Sequence, residues 1–222
     1  MNKLFFLIFL LLITYQSYSQ GVAFSYFIPK NGEIAAPISP FSIRGIGIGK
    51  TIGIETGASF YFIPGLPAKD LPLSTTESIF GPLYTFLIPL QLFLDIPMGP
   101  ARLKFTGGGF SWYNLAAKIN NGNLDKALRK HTDWDVVNSD YHFKNQIGWG
   151  LIGGLEIEFQ ITKSAALSIQ TQYLKGSTKT PMKGSFSGGD LGGNITTSTL
   201  DFTKAKASLE GLEISIGISL IK

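Results

Sequence analysis

The feature of this sequence that most constrains its fold is a strict two-residue alternation near the C-terminus. The even positions carry only aliphatic side chains, and glycine, serine or glutamate stands between them. The aliphatic positions are Leu212, Ile214, Ile216, Ile218 and Leu220. Successive side chains of a β-strand point to opposite faces of the sheet, so this segment predicts a strand with one purely aliphatic face.

The same alternation recurs in seven earlier segments, which makes eight predicted strands. They cover residues 22–28, 41–48, 52–62, 83–94, 102–113, 147–159 and 167–173, with 211–220 as the eighth. The apolar parity switches near Gly45, as a bulge would make it do, and it switches again in the Gly107–Gly109 run. Because proline cannot donate a hydrogen bond to a neighbouring strand, we expect a further bulge or kink at Pro89.

The connections between the predicted strands alternate between long and short. Long connections cover 29–40, 63–80, 114–144 and 175–207, and short ones cover 49–51, 95–101 and 160–164. Long loops on one side and short periplasmic turns on the other are typical of outer-membrane barrels. An even number of strands then places both termini on the short-turn side. A ten-stranded barrel is the alternative, because residues 196–202 could add a strand pair above the membrane.

The two faces of the strands differ in a way that indicates which one meets lipid. A soluble eight-stranded barrel places apolar residues inside, whereas a membrane barrel inverts this order. Here the second face carries mostly glycine, serine, glutamine and a few acids, which suits a narrow lumen better than a soluble exterior. Charged residues make up only 15% of the chain, against roughly 25% in soluble domains. We therefore predict an all-β fold, a transmembrane antiparallel up-and-down β-barrel.

Aromatic residues lie near the long-loop ends of several predicted strands. They are Tyr26, Tyr61, Trp112, Tyr113, Trp149 and Tyr173. Those on the lipid face are expected to form an aromatic girdle at the membrane interface.

A helical pattern covers residues 123–134 in the longest loop, where Leu124, Ala127, Leu128 and His131 are expected to share a face.

The N-terminus has the features of a secretory signal peptide. Lys3 is followed by an apolar run from Leu4 to Ile13, and small residues stand at Ser17 and Ser19. The run is shorter than the roughly 20 residues that a membrane span needs. We predict cleavage between Ser19 and Gln20, with residues 1–19 as the signal peptide and 20–222 as the barrel domain.

Composition argues against several classes of function. The absence of cysteine excludes a disulfide framework, a thiolate metal site and a cysteine nucleophile. The formal charge of +4 falls to +3 when Lys3 is removed, and so mild a charge does not indicate a nucleic-acid partner. No cofactor or metal site is predicted, since Asp133, Asp135 and Asp140 lack the spacing of a calcium loop.

Three parts of the sequence carry a resemblance to a known group. They are the Ser-Tyr-Ser sequence before Gln20, the opening Phe24-Ser25-Tyr26-Phe27-Ile28-Pro29-Lys30-Asn31-Gly32 and the closing Gly211-Leu212-Glu213-Ile214-Ser215-Ile216-Gly217. In these the chain resembles the Bacteroidetes-type outer-membrane β-barrel proteins. The resemblance implies location and fold, and no particular chemistry. The chain departs from many outer-membrane barrels in ending on Leu220-Ile221-Lys222 instead of an aromatic residue.

Charged residues collect on the predicted lumen face and form the candidate site. They are Glu55, Arg102, Lys104, Glu156, Glu158 and Glu213. A carboxylate inside a narrow lumen must be paired or become protonated. We therefore expect a structural salt-bridge network that plugs the barrel, with a charged conduit or proton-linked gate as the alternative.

Three functions follow as hypotheses. The first is a non-enzymatic barrel that serves as a structural or interaction platform, embedded in outer-membrane lipid and contacting another envelope protein through its long loops. The second is a hydrolase acting on lipid or peptide at the barrel rim, with Ser139, Asp140 and His142 as candidate residues. The third is a soluble periplasmic barrel that binds an apolar ligand.

Overall fold

The computed structural model describes residues 19–30 and 38–221, which form strands and a single helix. In chain order these elements are β1 (Ser19–Pro29), β2 (Ile38–Gly49), β3 (Ile52–Ile63), β4 (Leu66–Lys69), β5 (Ser78–Met98), β6 (Ala101–Ile119), α1 (Asn121–Thr132), β7 (Val136–Phe143), β8 (Gly148–Gln160), β9 (Ala165–Lys179), β10 (Met182–Gly189), β11 (Thr196–Thr199) and β12 (Lys206–Ile221). The predicted signal peptide lies outside the described residues apart from Ser19.

Eight of the strands close into an antiparallel ring in the order β1-β2-β3-β5-β6-β8-β9-β12. The ring closes where β1 pairs with β12, from Ser19 opposite Ile221 to Pro29 opposite Gly211. Residues 50–51, 99–100 and 161–164 form the short turns at one end. The predicted eight-stranded up-and-down barrel, with long and short connections in alternation, is therefore confirmed.

A short strand extends the closing edge of the barrel beyond the end of β1. Strand β4 pairs with β12 through Ala68 opposite Ala207 and Lys69 opposite Lys206. It also pairs with β5 through Leu66 and Pro67. At the long-loop end β4 thus joins β12 directly to β5 and bypasses the first three strands.

The two longest connections fold into an outer domain above the ring. Strands β11, β10 and β7 form a separate three-stranded sheet, so the strand at Thr196–Thr199 adds no pair to the barrel. Asn120 caps α1 by accepting a hydrogen bond from the Asn123 backbone N–H at 3.2 Å. Leu124, Ala127 and Leu128 are buried as predicted. His131 is exposed, which corrects its expected place on that face.

The outer surface of the ring is apolar, and the part of its interior near the short turns is polar. Ile52 and Leu151 are each 71% exposed, as the inverted order of a membrane barrel requires. Tyr113, Trp149 and Tyr173 lie on this outer surface near the long-loop end, whereas Tyr61 and Trp112 point inward. An exterior of this kind does not fit the soluble ligand-binding barrel. Within the described residues, no helix is long and apolar enough to cross a membrane.

The structure contains the irregularity predicted at Gly45 but not the one predicted at Gly107–Gly109. The register of β2 against β3 shifts between Ile43 and Ile46, and Gly45 has a φ of 69°, so the predicted bulge is confirmed. Strand β6 keeps a single parity through Gly107–Gly109, and the predicted phase change there is wrong. The inward side chains change from polar to apolar, with Phe110 and Trp112 buried inside the barrel.

Pro89 causes neither a bulge nor a change of register. It stays opposite Phe110 on β6, and the β3–β5 register is the same before and after it. Its carbonyl accepts a hydrogen bond from Thr56 Oγ1 at 2.6 Å. Proline has no backbone N–H to donate to β3, but the Thr56 hydroxyl of β3 donates to the Pro89 carbonyl and so links the two strands at this point.

Candidate functional site

The lumen site begins near the short-turn end with Arg102 on β6. Its guanidinium pairs with Asp95 of β5, and its Nη1 lies 3.5 Å from Oε2 of Glu158 on β8. Glu158 faces Arg102 directly in the β6–β8 register. Both carboxylates are buried, so this layer places one cation between two acids.

The next layer inward repeats this arrangement around Lys104. Its Nζ lies 3.1 Å from Glu55 Oε2 and 2.8 Å from Glu156 Oε2. All three side chains are less than a tenth exposed. The ammonium also lies 5.8 Å from the centroid of the Phe93 ring, which adds a cation–π contact.

The third layer is centred on Arg44, which sequence reasoning missed. Its guanidinium pairs with Glu213 and donates to Gln170 and to Ser25 Oγ, the last at 2.9 Å. The Tyr61 hydroxyl donates to the other oxygen of Glu213. Sequence reasoning missed Arg44 because the parity of the alternation differs on the two sides of the bulge at Gly45. Arg44 directly precedes that bulge.

Uncharged side chains complete this layer on the side that faces β5 and β6. Gln172 Nε2 donates to Gln91 Oε1 and to Thr106 Oγ1, both at 3.2 Å. On the other side a serine chain links Ser215, Ser25 and Ser42, at 2.9 and 3.1 Å. Most polar side-chain groups of this layer thus find partners in one another, whereas Arg44 Nε and Gln91 Nε2 have no hydrogen-bond partner among the described residues.

The lumen is filled along its length. Five inward carboxylates face three inward cations, so the described lumen network has an excess of negative charge. Three cavities between these side chains have volumes of about 20, 30 and 10 Å³. Cavities of that size hold on the order of one or two water molecules.

Above the charged layers the interior becomes an apolar plug that we call the cap. Ring strands contribute Phe27, Leu83, Leu87, Phe110 and Trp112, and the outer domain contributes Leu124, Leu128, Tyr141, Phe186 and Phe202. The Phe80 and Phe143 rings meet edge to face, 5.4 Å apart. The outer domain and the top of the barrel therefore share one hydrophobic core.

The residues considered for hydrolysis do not meet in one place. His142 and Asp140 are 88% and 85% exposed, with 3.9 Å between His142 Nε2 and Asp140 Oδ1. Ser139 faces the other side of β7, where its hydroxyl donates to Asp125 of α1. A Ser-His-Asp triad needs all three groups within hydrogen-bond reach of one another.

Tyr141 of the outer domain and Asp70 of a long connection both have altered pKa values. Burial raises the pKa of Tyr141 to about 12, against the partial compensation of its hydrogen bond to the Leu200 carbonyl. The Lys206 ammonium, 2.8 Å from Asp70, lowers the pKa of that carboxyl.

Among the described residues, no three acids or histidines come together as a metal site.

No family model and no curated protein matches this sequence. Among solved structures, the outer membrane protein OprG from Pseudomonas aeruginosa matches over 91% of this chain and 94% of its own, with 15% identity and a TM-score of 0.51. The chain has the fold of an outer-membrane barrel. Neisserial surface protein A is 14% identical over 92% of this chain and 95% of its own, with a TM-score of 0.42. A major outer membrane protein from Thermus thermophilus is 12% identical over 91% and 98%, with a TM-score of 0.44.

Proposed function

We propose that this protein is a non-enzymatic outer-membrane barrel that serves as a structural or interaction platform in the cell envelope. The observation that carries the proposal is the shared core of the outer domain and the cap. Long loops that only connect strands need no common core, whereas a surface that binds a partner gains from being held rigid.

The filled lumen favours the role of a platform and argues against that of a pore. Each lumen cation contacts two carboxylates or a carboxylate and several neutral acceptors. A solute could pass only by breaking buried ion pairs and then displacing the cap. Both steps are costly, since a charge left without its buried partner is strongly destabilising.

The tip of the outer domain offers an exposed apolar contact surface. Leu191 and Ile195, in the connection from β10 to β11, are 80% and 81% exposed. The tip is held in shape, because the Leu191 N–H donates to Asp135 Oδ2 at 2.9 Å and the Gly193 N–H donates to the Asp190 carbonyl at 3.0 Å. Gly192 supplies the φ of 84° that this turn needs.

The location proposed is the outer membrane of a Gram-negative bacterium, after cleavage of residues 1–19. The apolar exterior of the ring and the sequence features of the N-terminus support it. The resemblance of the opening and closing segments supports an origin in the Bacteroidetes group.

Site-specific photo-crosslinking in intact cells tests the platform. A photoreactive amino acid at position 191 or 195 should give a discrete adduct with one envelope protein. The matched control is position 161, since Ile161 is 63% exposed but lies in a short turn at the other end of the barrel. An absence of adducts at 191 and 195, with the barrel folded, would contradict the interaction role.

A conductance measurement separates the platform from a conduit. Purified protein in planar lipid bilayers should give no stepwise current, because the lumen side chains and the cap fill the passage. Reproducible single-channel steps at neutral pH would favour the charged conduit instead.

A further inference from the structure

Lysines line the outside of the barrel where β9, β12 and β4 extend beyond the apolar surface. Lys206 of β12 lies directly opposite Lys179 of β9 and directly opposite Lys69 of β4. Residues directly opposite one another in a sheet share a face, and like charges in that position are destabilising. Three lysines in one row across three adjacent strands therefore repel one another unless anions neutralise their charge.

A second pair of lysines lies closer to the apolar surface. Lys175 of β9 is opposite Glu210 of β12, and the Lys30 backbone N–H bonds the Glu210 carbonyl. We call Lys30, Lys69, Lys175, Lys179 and Lys206 together the lysine face.

The alternation along β9 shows that the lysine face points outward. Tyr173, Lys175 and Lys179 are exposed, whereas Leu174 and Thr178 between them are buried. Tyr173 belongs to the outward aromatic residues at the top of the apolar band. At about 3.3 Å per residue, Lys175 lies roughly 7 Å and Lys179 roughly 20 Å further along the tilted strand.

The lysine face carries more positive than negative charge. Glu210 accepts from Lys30 at 3.0 Å and from Lys69 at 3.2 Å, and Asp70 pairs with Lys206 at 2.8 Å. Two acids thus pair with three of the five lysines. Within the described part of the chain, Lys175 and Lys179 take part in no ion pair. The acids hold the other lysines in place and leave these two for an external anion.

We propose that the lysine face binds the headgroup of an anionic glycolipid of the outer leaflet. The lysines lie at two different distances from the apolar surface of the barrel, and these distances indicate the chemical class of the lipid. A phosphate next to the hydrocarbon would meet Lys175 and Lys30, while Lys179, Lys206 and Lys69 lie too high for a simple phospholipid headgroup. They fit a lipid with phosphates at its base and further acidic sugars above them. This inference rests on the proposed outer-membrane location and is independent of any protein partner.

Native mass spectrometry of the full mature chain in zwitterionic detergent tests the proposal. The probes are rough-type lipopolysaccharide, which carries inner-core acidic sugars, and lipid A alone. The test variant K175Q/K179Q breaks no ion pair of the described residues. The matched control K144Q/K183Q removes the same charge from exposed lysines of the outer domain. A gel shift between boiled and unboiled samples verifies that both variants fold.

We expect K175Q/K179Q to weaken lipopolysaccharide binding by at least about tenfold, because each lysine near an anionic surface contributes on the order of 1 kcal/mol. The control variant should bind as the parent does. With the single variants, K175Q should weaken the binding of both lipids, and K179Q should weaken only that of lipopolysaccharide. Equal losses in the test and control variants, or unchanged binding in both, would overturn the proposal.

Discussion

Lys104 shows how the lumen accommodates an excess of carboxylates. Its ammonium contacts Glu55 and Glu156, which come from two different strands. A buried ion pair is weak evidence for net stability, because the desolvation of both charges offsets their attraction. The loss of one partner is a different matter, since the charge that remains stays buried without compensation.

Replacing Lys104 by methionine should destabilise the barrel strongly. Two buried carboxylates would then face each other, and we expect a loss of about 3–5 kcal/mol in the free energy of unfolding. Equilibrium urea unfolding in lipid vesicles measures this value. The triple variant K104M/E55Q/E156Q removes the charges together and should recover most of the loss. A triple variant as unstable as K104M would show that packing, not charge, is responsible.

Single residues of the lumen network differ in how far the sequence reveals them. The parity of the alternation predicts Glu55, Lys104 and Glu156 as inward residues, and the structure places all three there. Asp95 is missed because it falls in a predicted short turn, although β5 continues to Met98. Tyr61 is missed as a partner of Glu213 because an aromatic near a strand end is also typical of a membrane girdle.

In strand β6, neighbouring glycines have different roles. A Cβ added to Gly108 would lie 2.1 Å from the Leu90 carbonyl oxygen of β5, whereas one added to Gly107 would meet nothing within 4 Å. Strands β5 and β6 thus approach closely at Gly108, on the lumen side. The absence of a side chain there permits the straight, unshifted register between the two strands.

The substitution Gly108→Ala should weaken the β5–β6 pairing, while Gly107→Ala should be tolerated. Overpacking typically costs about 1–3 kcal/mol, and the added methyl group has only backbone to press against. The temperature at which the gel shift is lost, compared between the two variants, measures the difference. Equal temperatures for both would mean that the strands can separate locally without cost.

The sequence predicts whether a segment is a strand or a helix more reliably than it predicts how long that strand or helix is. Strand β5 runs over 21 residues and β9 over 15, well beyond the predicted 83–94 and 167–173. The alternation that identifies a strand depends on one face meeting lipid and the other a polar lumen. Above the membrane the inner face meets the apolar cap, and residues 78–81 are buried on both faces, so the two-residue pattern fades while the strand continues.

The interior of the whole molecule has two parts with different physical origins. Charged and polar side chains fill the lower lumen, and the apolar cap fills the top together with α1 and the outer sheet. Backbone pairing holds the ring closed all the way around. The outer domain depends instead on its apolar contacts, since its own sheet has only three strands.

The two parts should therefore respond separately to a substitution in the cap. Leu128 of α1 is fully buried, and its replacement by alanine should cost about 2–5 kcal/mol. We expect trypsin to cleave within α1, at Lys126, Arg129 or Lys130, while the gel shift of the barrel persists. The control is Leu191→Ala at an exposed site, which should leave α1 resistant. A simultaneous loss of the gel shift in Leu128→Ala would mean that the two parts unfold as one.

The two faces of β7 divide the outer domain into residues that the fold needs and residues that the surroundings meet. Val137, Ser139 and Tyr141 face inward, where the Tyr141 ring stacks on Phe202 at 5.3 Å, while Val136, Asn138, Asp140 and His142 face outward. Exchanging the outward set leaves every inward contact intact. Antibodies and phages would encounter a surface that is free to diverge from strain to strain over a constant scaffold. For the same reason, foreign epitopes could be grafted onto this face for display on living cells.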